Sequence, residues 1–216
     1  MVLGSISNCT CGIKGGRSRI VGGEEASIKE YPWMVSLRYL PWSYNKNWCG
    51  ASLISDRWIL SAFHCLQDRD NASDWRAFLG EHDYDTNNET DHIDMDITEI
   101  IKHPEYRDYI FNDITLLKME KRIDFLQNPG IRPICLPENA ENSYLSATTI
   151  TTGWGLTKHN GFPSNVLLEV SRPVISYEEC EPIYGSNLKR NTHICILAQG
   201  KSSCNGDSGK ENHNIK

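Results

Sequence analysis

Every second residue is apolar in two short stretches of the chain, 35–39 and 93–97, and the residues between them are polar. A period of two is typical of β-strands that bury one face. Three further apolar runs, at 58–60, 115–117 and 166–168, have the length of short strands. The pattern therefore predicts a chain built mostly from short strands.

One helix is predicted, and it begins at Ser176. The sequence Ser176-Tyr-Glu-Glu179 has the form of a capping box, in which the first and fourth residues satisfy each other's backbone N–H groups. Tyr184 would be the last helical residue, since Gly185 is suited to end a helix. Strands without long helices between them predict an all-β barrel or sandwich. The Pro- and Gly-containing segment 121–137 is the best candidate for a link between two halves.

The charge of the chain argues against two classes of partner. The formal net charge is −6 and the sequence pI is about 5.6, which gives no electrostatic attraction to nucleic acid or to an anionic membrane surface. No apolar run approaches the roughly 18 residues that a membrane-spanning helix needs. We therefore expect neither a nucleic-acid partner nor a membrane partner.

The eight cysteines are spread along the chain and no pair has the Cys-x-x-Cys spacing of a zinc site. Cysteines in this arrangement indicate disulfides formed in an oxidising compartment. Three N-glycosylation sequons, at Asn8, Asn71 and Asn88, agree with secretion. Residues 1–7 are too short for the apolar part of a signal peptide, so we expect a secreted, extracellular protein whose signal is not in this chain.

Three residues supply the groups that hydroxyl-based acyl transfer needs. Such a reaction requires a nucleophile, a base with a pKa near neutrality and a carboxylate that orients the base. Ser208 lies in "CNGDSG", His64 in "LSAFHC" and Asp113 in "NDITLL". Their order along the chain, His then Asp then Ser, separates a trypsin-like arrangement from the subtilisin-like and α/β-hydrolase orders.

Five motifs occur together: "RIVGG", "SAFHC", "NDITLLK", "TTGWG" and "GDSG". In this order and spacing they resemble the trypsin/chymotrypsin (S1) family of secreted serine proteases, and "LGEHDYD" is similar to arthropod members. The resemblance implies two antiparallel six-stranded β-barrels, the second of them incomplete here. It divides the chain into an activation segment 1–19, a peptidase domain 20–209 and a tail 210–216 without family motifs.

The resemblance also implies a role for each residue of the site. Ser208 is the nucleophile, His64 the general base and acid, and Asp113 the carboxylate that orients and stabilises the imidazolium. The backbone N–H groups of Gly206 and Ser208 form the oxyanion hole. Ser202 lies at the base of the primary specificity pocket, where a neutral residue favours large apolar or aromatic substrate side chains. No cofactor is implied.

Activation and partners follow from the same resemblance. Cleavage between Arg19 and Ile20 by a trypsin-like protease would free an amine that pairs with Asp207, so the intact chain is expected to be a zymogen. The expected partners are protein or peptide substrates, that activating protease and protein protease inhibitors. The implied disulfides are Cys49–Cys65, Cys180–Cys195, and Cys11 with Cys135, with Cys9 as the alternative to Cys11. Cys204 and the remaining N-terminal cysteine would then have partners outside this chain.

An acidic loop resembles the calcium loop of some family members. It contains Glu81, Asp83 and Asp91, but Asn88 stands at one expected acidic position. A solvated acidic loop is the simpler interpretation, and no metal ligand is assigned.

Two alternatives to an active enzyme remain. Family domains continue beyond Gly209 with strands that close the second barrel, so the tail 210–216 predicts that the chain as written is inactive or poorly folded. The other alternative is a non-catalytic protease homologue that binds a partner or acts as a decoy for an inhibitor; the presence of all three triad residues favours the enzyme. An adhesion-type β-sandwich does not explain "RIVGG" and "GDSG" in one chain.

Overall fold

Ten strands and one α-helix are present in the part of the chain that the structure describes. The computed structural model describes residues 11–16, 24–41, 47–86, 89–108, 111–138, 144–156, 162–185, 188–189 and 192–197. Their elements are β1 (Glu24–Glu25), β2 (Met34–Tyr39), β3 (Cys49–Leu53), β4 (Trp58–Ser61), β5 (Trp75–Leu79), β6 (Ile93–Lys102), β7 (Thr115–Met119), β8 (Thr148–Gly153), β9 (Leu168–Ile175), α1 (Tyr177–Tyr184) and β10 (Cys195–Ile196). Within these ranges, no helix is long and apolar enough to cross a membrane.

Six of the strands close into an antiparallel barrel in the order β2-β3-β4-β7-β6-β5. The barrel closes where β5 pairs with β2, with Leu79 opposite Val35. A register shift between Ile97 and Glu99 interrupts the pairing of β6 with β7. Irregularities of this kind bend a strand and help a sheet to curl. The predicted all-β class and the first six-stranded barrel are confirmed.

The barrel interior is filled by aliphatic side chains from alternate positions of its strands. Val35, Leu37, Ile59 and Leu117 are completely buried, and burying each such side chain contributes about 1.5–3 kcal/mol. The alternation predicted for 93–97 is also present in β6, where the acidic residues are exposed and Ile97 is buried. These contacts make the barrel a rigid platform for the loops at its ends.

The second sheet is smaller and open. Among the described residues it has four strands, with β9 paired to β1, β8 and β10. The predicted strand at 166–168 is wrong except for Leu168, which begins β9. Val166 instead forms an isolated bridge with Asp83, and the Leu167 N–H donates to the His82 carbonyl over 2.9 Å. This short run therefore connects the two halves of the molecule.

The predicted helix is confirmed. The Ser176 hydroxyl accepts a hydrogen bond from the Glu179 N–H, and the Glu179 carboxylate accepts one from the Ser176 N–H, which completes the capping box. The helix ends at Gly185, whose φ of 71° is unfavourable for other residues. A disulfide joins Cys180 in α1 to Cys195 in β10, so the helix is fixed to the second sheet.

The N-terminal segment 11–16 is fastened to both halves. Cys11 forms a disulfide with Cys135. The Lys14 ammonium donates to the Tyr31 hydroxyl over 2.8 Å, and the Tyr31 hydroxyl in turn donates to the Glu169 carboxylate in the second sheet. Burial, and to a smaller extent the nearby Glu30 carboxylate, raises the pKa of Glu169. Tyr31 and Glu169 are buried, so these bonds connect the exposed Lys14 to the interior of the second half.

Candidate active site

The pairing of β4 with β7 brings His64 and Asp113 together. Ser61, the last residue of β4, lies opposite Thr115, the first residue of β7. His64 follows β4 in a short 3₁₀ helix, Phe63–Cys65. Asp113 precedes β7 in a tight turn, in which the Ile114 N–H donates to the Asn112 carbonyl over 2.8 Å. Both side chains therefore lie at the same end of the barrel.

Both carboxylate oxygens of Asp113 contact His64. The His64 backbone N–H donates to Oδ1 over 2.8 Å, and the ring Nδ1 lies 2.5 Å from Oδ2. The two side chains are only 16% and 12% exposed, so water weakens these bonds less than it would on an open surface. A carboxylate that accepts from Nδ1 fixes the tautomer with the proton on that nitrogen. Nε2 is then the atom that can accept a proton.

A disulfide and an indole fix the position of the His64 backbone. Cys65, the next residue, is bonded to Cys49 in β3. The Trp48 indole N–H donates to the Cys65 carbonyl over 3.0 Å. The loop that the disulfide closes spans a sequence separation of 16, and closing a loop of that size stabilises a fold by about 3 kcal/mol in the chain-entropy model.

Tyr106 belongs to the same surroundings, although no sequence motif indicated it. Its ring packs edge-on against Phe63 with 4.8 Å between centroids, and its hydroxyl donates to the Gln67 side chain over 2.7 Å. Burial, and then the negative charge of Asp113, raises the pKa of Tyr106. The phenol therefore stays neutral beside the carboxylate and packs against the residue preceding His64.

Three disulfides join the pairs that the resemblance implies. Cys11, and not Cys9, is the partner of Cys135. The complete set among the described residues is Cys11–Cys135, Cys49–Cys65 and Cys180–Cys195.

The other expected site residues lie outside the described residues, and so do both expected domain boundaries. This group comprises the nucleophile, the oxyanion-hole and pocket residues, the activation residues, two of the three sequon asparagines and two cysteines: Ser208, Gly206, Ser202, Arg19, Ile20, Asp207, Asn8, Asn88, Cys9 and Cys204.

The acidic loop between β5 and β6 does not fit a calcium ion. Glu81 Oε2 accepts from the Arg38 guanidinium over 2.6 Å, and both side chains are buried. Asp91 is fully exposed and faces Lys29 at 3.8 Å. Within the described ranges, no cluster of three or more His, Cys, Asp or Glu side chains is close enough to hold a metal ion. Two cations of the chain, Arg38 from β2 and Lys29, therefore lie against carboxylates of this loop.

In the Arg38–Glu81 ion pair, burial has the largest effect on the pKa of Glu81. The Arg38 guanidinium also stacks 3.6 Å above the Phe78 ring. Desolvation raises the pKa of Glu81, although His92 and Arg38 both act in the opposite direction. One polar atom on each partner, Arg38 Nε and Glu81 Oε1, is buried without a hydrogen bond to any described residue. The pair is therefore sensitive to the loss of either partner.

Comparison with known proteins gives consistent matches. The sequence model of the Trypsin family matches residues 20–210. The chain is 37% identical over 207 residues to "Venom serine protease" of Polistes dominula, covering 94% of this chain and 72% of that protein. It is also 37% identical to "Venom serine protease 34" of Apis mellifera, of which it spans only 50%. It is 33% identical to "Trypsin-1" of Astacus astacus, covering 88% of this chain and 80% of that protein.

Proposed function

Because the chain belongs to the trypsin family of serine endopeptidases, we propose that His64, Asp113 and Ser208 form its catalytic triad. The proposal is supported by two contacts between His64 and Asp113. The His64 backbone N–H donates to Asp113 Oδ1 over 2.8 Å, and the ring Nδ1 lies 2.5 Å from Oδ2. A carboxylate that accepts from Nδ1 leaves Nε2 as the nitrogen that can take a proton from the nucleophile. The substrates of such an enzyme are proteins.

In the proposed reaction, the Ser208 hydroxyl attacks the scissile carbonyl while His64 Nε2 takes its proton. The negative charge that develops on the carbonyl oxygen is stabilised by the N–H groups of Gly206 and Ser208, each worth about 3–4 kcal/mol in comparable sites. His64 then protonates the leaving amine, and water hydrolyses the acyl-enzyme by the same steps in reverse. Asp113 stays ionised throughout and stabilises the imidazolium.

The proposal extends to specificity, activation and location. Ser202 at the base of the primary pocket offers no charge to Lys or Arg, which favours apolar or aromatic substrate residues. Cleavage after Arg19 would free the Ile20 amine to pair with Asp207. Three disulfides are typical of proteins made in an oxidising compartment, which agrees with secretion. The open second sheet would be part of the family's second barrel. A trypsin-like activator and protein protease inhibitors are the proposed regulatory partners.

A covalent active-site probe tests the proposal. The purified chain is cleaved by a trypsin-like protease, the activator is removed, and a fluorescent phosphonate is added. We expect labelling of Ser208 only after cleavage, because the oxyanion hole needs the Ile20 amine. The Ser208→Ala variant and the uncleavable Arg19→Gln variant serve as controls and should stay unlabelled. A cleaved chain that is folded by circular dichroism and still unlabelled would favour the non-catalytic homologue.

We also propose that Asn71 carries an N-linked glycan. It is exposed and lies just before a short 3₁₀ helix, Ala72–Asp74. Expressed in a eukaryotic secretory host, the chain is expected to lose mass on deglycosylation. Asn71→Gln and Ser73→Ala should each remove the same increment, and Ser73→Thr should keep it. An unchanged glycan mass in Asn71→Gln would rule out this site.

A further inference from the structure

The ring of Phe111 is flanked by two cations. The Arg107 guanidinium carbon lies 5.4 Å from its centroid and the Lys189 ammonium 5.0 Å. Both distances are within the range of cation–π attraction. Phe111 is half-buried, whereas Arg107 and Lys189 are exposed. We call these three residues the basic rim.

The basic rim is close in sequence to the proposed catalytic carboxylate. Phe111 precedes Asp113 by two residues in the same turn. The Arg107 N–H donates to the Phe111 carbonyl over 3.2 Å, and the Asn112 side-chain amide donates to the Glu105 carbonyl over 2.8 Å. These bonds join residues 105 and 107 to residues 111 and 112, which immediately precede Asp113.

Lys189 reaches the rim from the other half of the molecule. It lies inside the segment that the Cys180–Cys195 disulfide closes. The His193 N–H donates to the Lys189 carbonyl over 3.0 Å, and the Tyr177 hydroxyl donates to the Leu188 carbonyl over 2.6 Å. The rim therefore joins residues from both halves of the molecule, and its Phe111 lies two residues from Asp113 in the sequence.

Neither cation of the rim forms an ion pair with an acidic residue that the structure describes. Within the part of the chain that the structure describes, Arg107 and Lys189 take part in no ion pair, whereas Arg38, Arg76, Lys118 and Arg122 all do. Asp108 follows Arg107 in the sequence, and its Oδ1 accepts from the Phe111 N–H over 3.2 Å. Two cations without an ion pair to a described residue therefore lie around one aromatic ring, in a chain with a net charge of −6.

We propose that the basic rim selects substrates with an Asp or Glu side chain close to the scissile bond. A carboxylate placed over the rim meets two positive charges, and the methylene groups of the acidic side chain can pack on the exposed part of the Phe111 ring. The proposal rests on the endopeptidase function above and adds a substrate class to it. Arg107 and Lys189 act on binding of the substrate and have no part in bond cleavage.

The test uses internally quenched peptides that differ only by Glu or Gln at one of the four positions on either side of a fixed apolar cleavage residue. At low salt, the wild-type chain is expected to prefer Glu at one position by about 3- to 10-fold in kcat/KM, the effect of two exposed charge pairs. Arg107→Gln with Lys189→Gln should reduce this ratio to about 1, and high salt should reduce it in the wild type. Lys121→Gln removes a charge near the opposite end of β7 and should leave the ratio unchanged.

The outcomes separate the rim from the catalytic proposal. Three results would overturn the role of the rim while leaving the endopeptidase intact. The wild-type chain could cleave the Glu and Gln peptides at equal rates, the double variant could keep the preference for Glu, or Lys121→Gln could lose that preference to the same extent as the double variant. If no peptide is cleaved, the same peptides are titrated by fluorescence anisotropy against the Ser208→Ala chain. A preference for Glu that depends on Arg107 and Lys189 then supports the rim, and equal affinities contradict it.

Discussion

Replacing Asp113 by Asn is expected to lower kcat by about 10⁴-fold, the loss that this change causes in other Ser-His-Asp triads. The reason lies in the two contacts of the carboxylate. If the Asn oxygen accepts from the His64 backbone N–H, as Asp113 Oδ1 does over 2.8 Å, the amide NH₂ faces Nδ1. Nδ1 must then accept, the ring proton moves to Nε2, and His64 can no longer take the proton of Ser208. The measurement is kcat on a peptide substrate after activation.

Two further observations make this prediction specific. The ¹⁵N chemical shifts of the imidazole should show the Nδ1–H tautomer in the wild type and the Nε2–H tautomer in Asp113→Asn, whether or not the chain turns over substrate. Asp94→Asn removes a charge from the exposed side of β6 and should change neither quantity. A kcat within tenfold of the wild-type value in Asp113→Asn would show that His64 does not depend on this carboxylate.

Replacing Arg38 by Met is expected to lower the free energy of unfolding by about 3–5 kcal/mol, since it leaves the buried Glu81 carboxylate without its partner. Loss of this size corresponds to a fall in the melting temperature of roughly 10 °C. Thermal unfolding of the oxidised protein, followed by circular dichroism, measures it. Arg76→Met is the matched control, because Arg76 lies directly opposite Arg38 on β5 but forms more exposed ion pairs. It should cost at most about 1 kcal/mol.

A double variant and the pH dependence identify the cause. Arg38→Met with Glu81→Leu removes both charges and should regain most of the lost stability. Without the guanidinium, burial holds the pKa of Glu81 further above its usual range. The deficit of Arg38→Met is therefore complete above that raised pKa. It disappears as the pH falls below the pKa that Glu81 has in the wild-type fold, because Glu81 is then protonated in both proteins. A deficit that is independent of pH, or a double variant no more stable than Arg38→Met, would point to lost packing instead.

Local patterns in the sequence located the strands whose two faces differ. In β6 the alternation of acidic and apolar residues is sufficient to predict the strand, because one face lies in water and the other in the barrel. The capping box at Ser176 and the glycine at 185 likewise act within a few residues of the helix ends. The run 166–168 was wrongly predicted as a strand, except for Leu168, since Val166 and Leu167 contact residues 82–83 of the other half instead. An apolar run alone does not distinguish these cases.

Local sequence patterns did not predict the contacts between segments that are distant in the sequence. The meeting of His64 and Asp113 depends on the pairing of β4 with β7, and only the order of motifs and the family resemblance indicated it. No motif indicated that Arg38 would be buried against Glu81, because β2 looks half-exposed in the sequence and the loop that covers it is fixed by the tertiary fold. The meeting of Phe111 with Lys189 has the same origin.

The closure of the barrel also constrains how the chain can assemble. β2 pairs with β5, and β4 pairs with β7. In each case two other strands lie between the partners in the sequence. Such pairings form slowly because closing the long loop between the partners costs conformational entropy. Cys49 and Cys65 are close in sequence and can meet much earlier. His64, however, follows β4, and Asp113 precedes β7. A partly folded chain that has not yet joined these two strands therefore lacks the dyad, whatever local structure it has acquired.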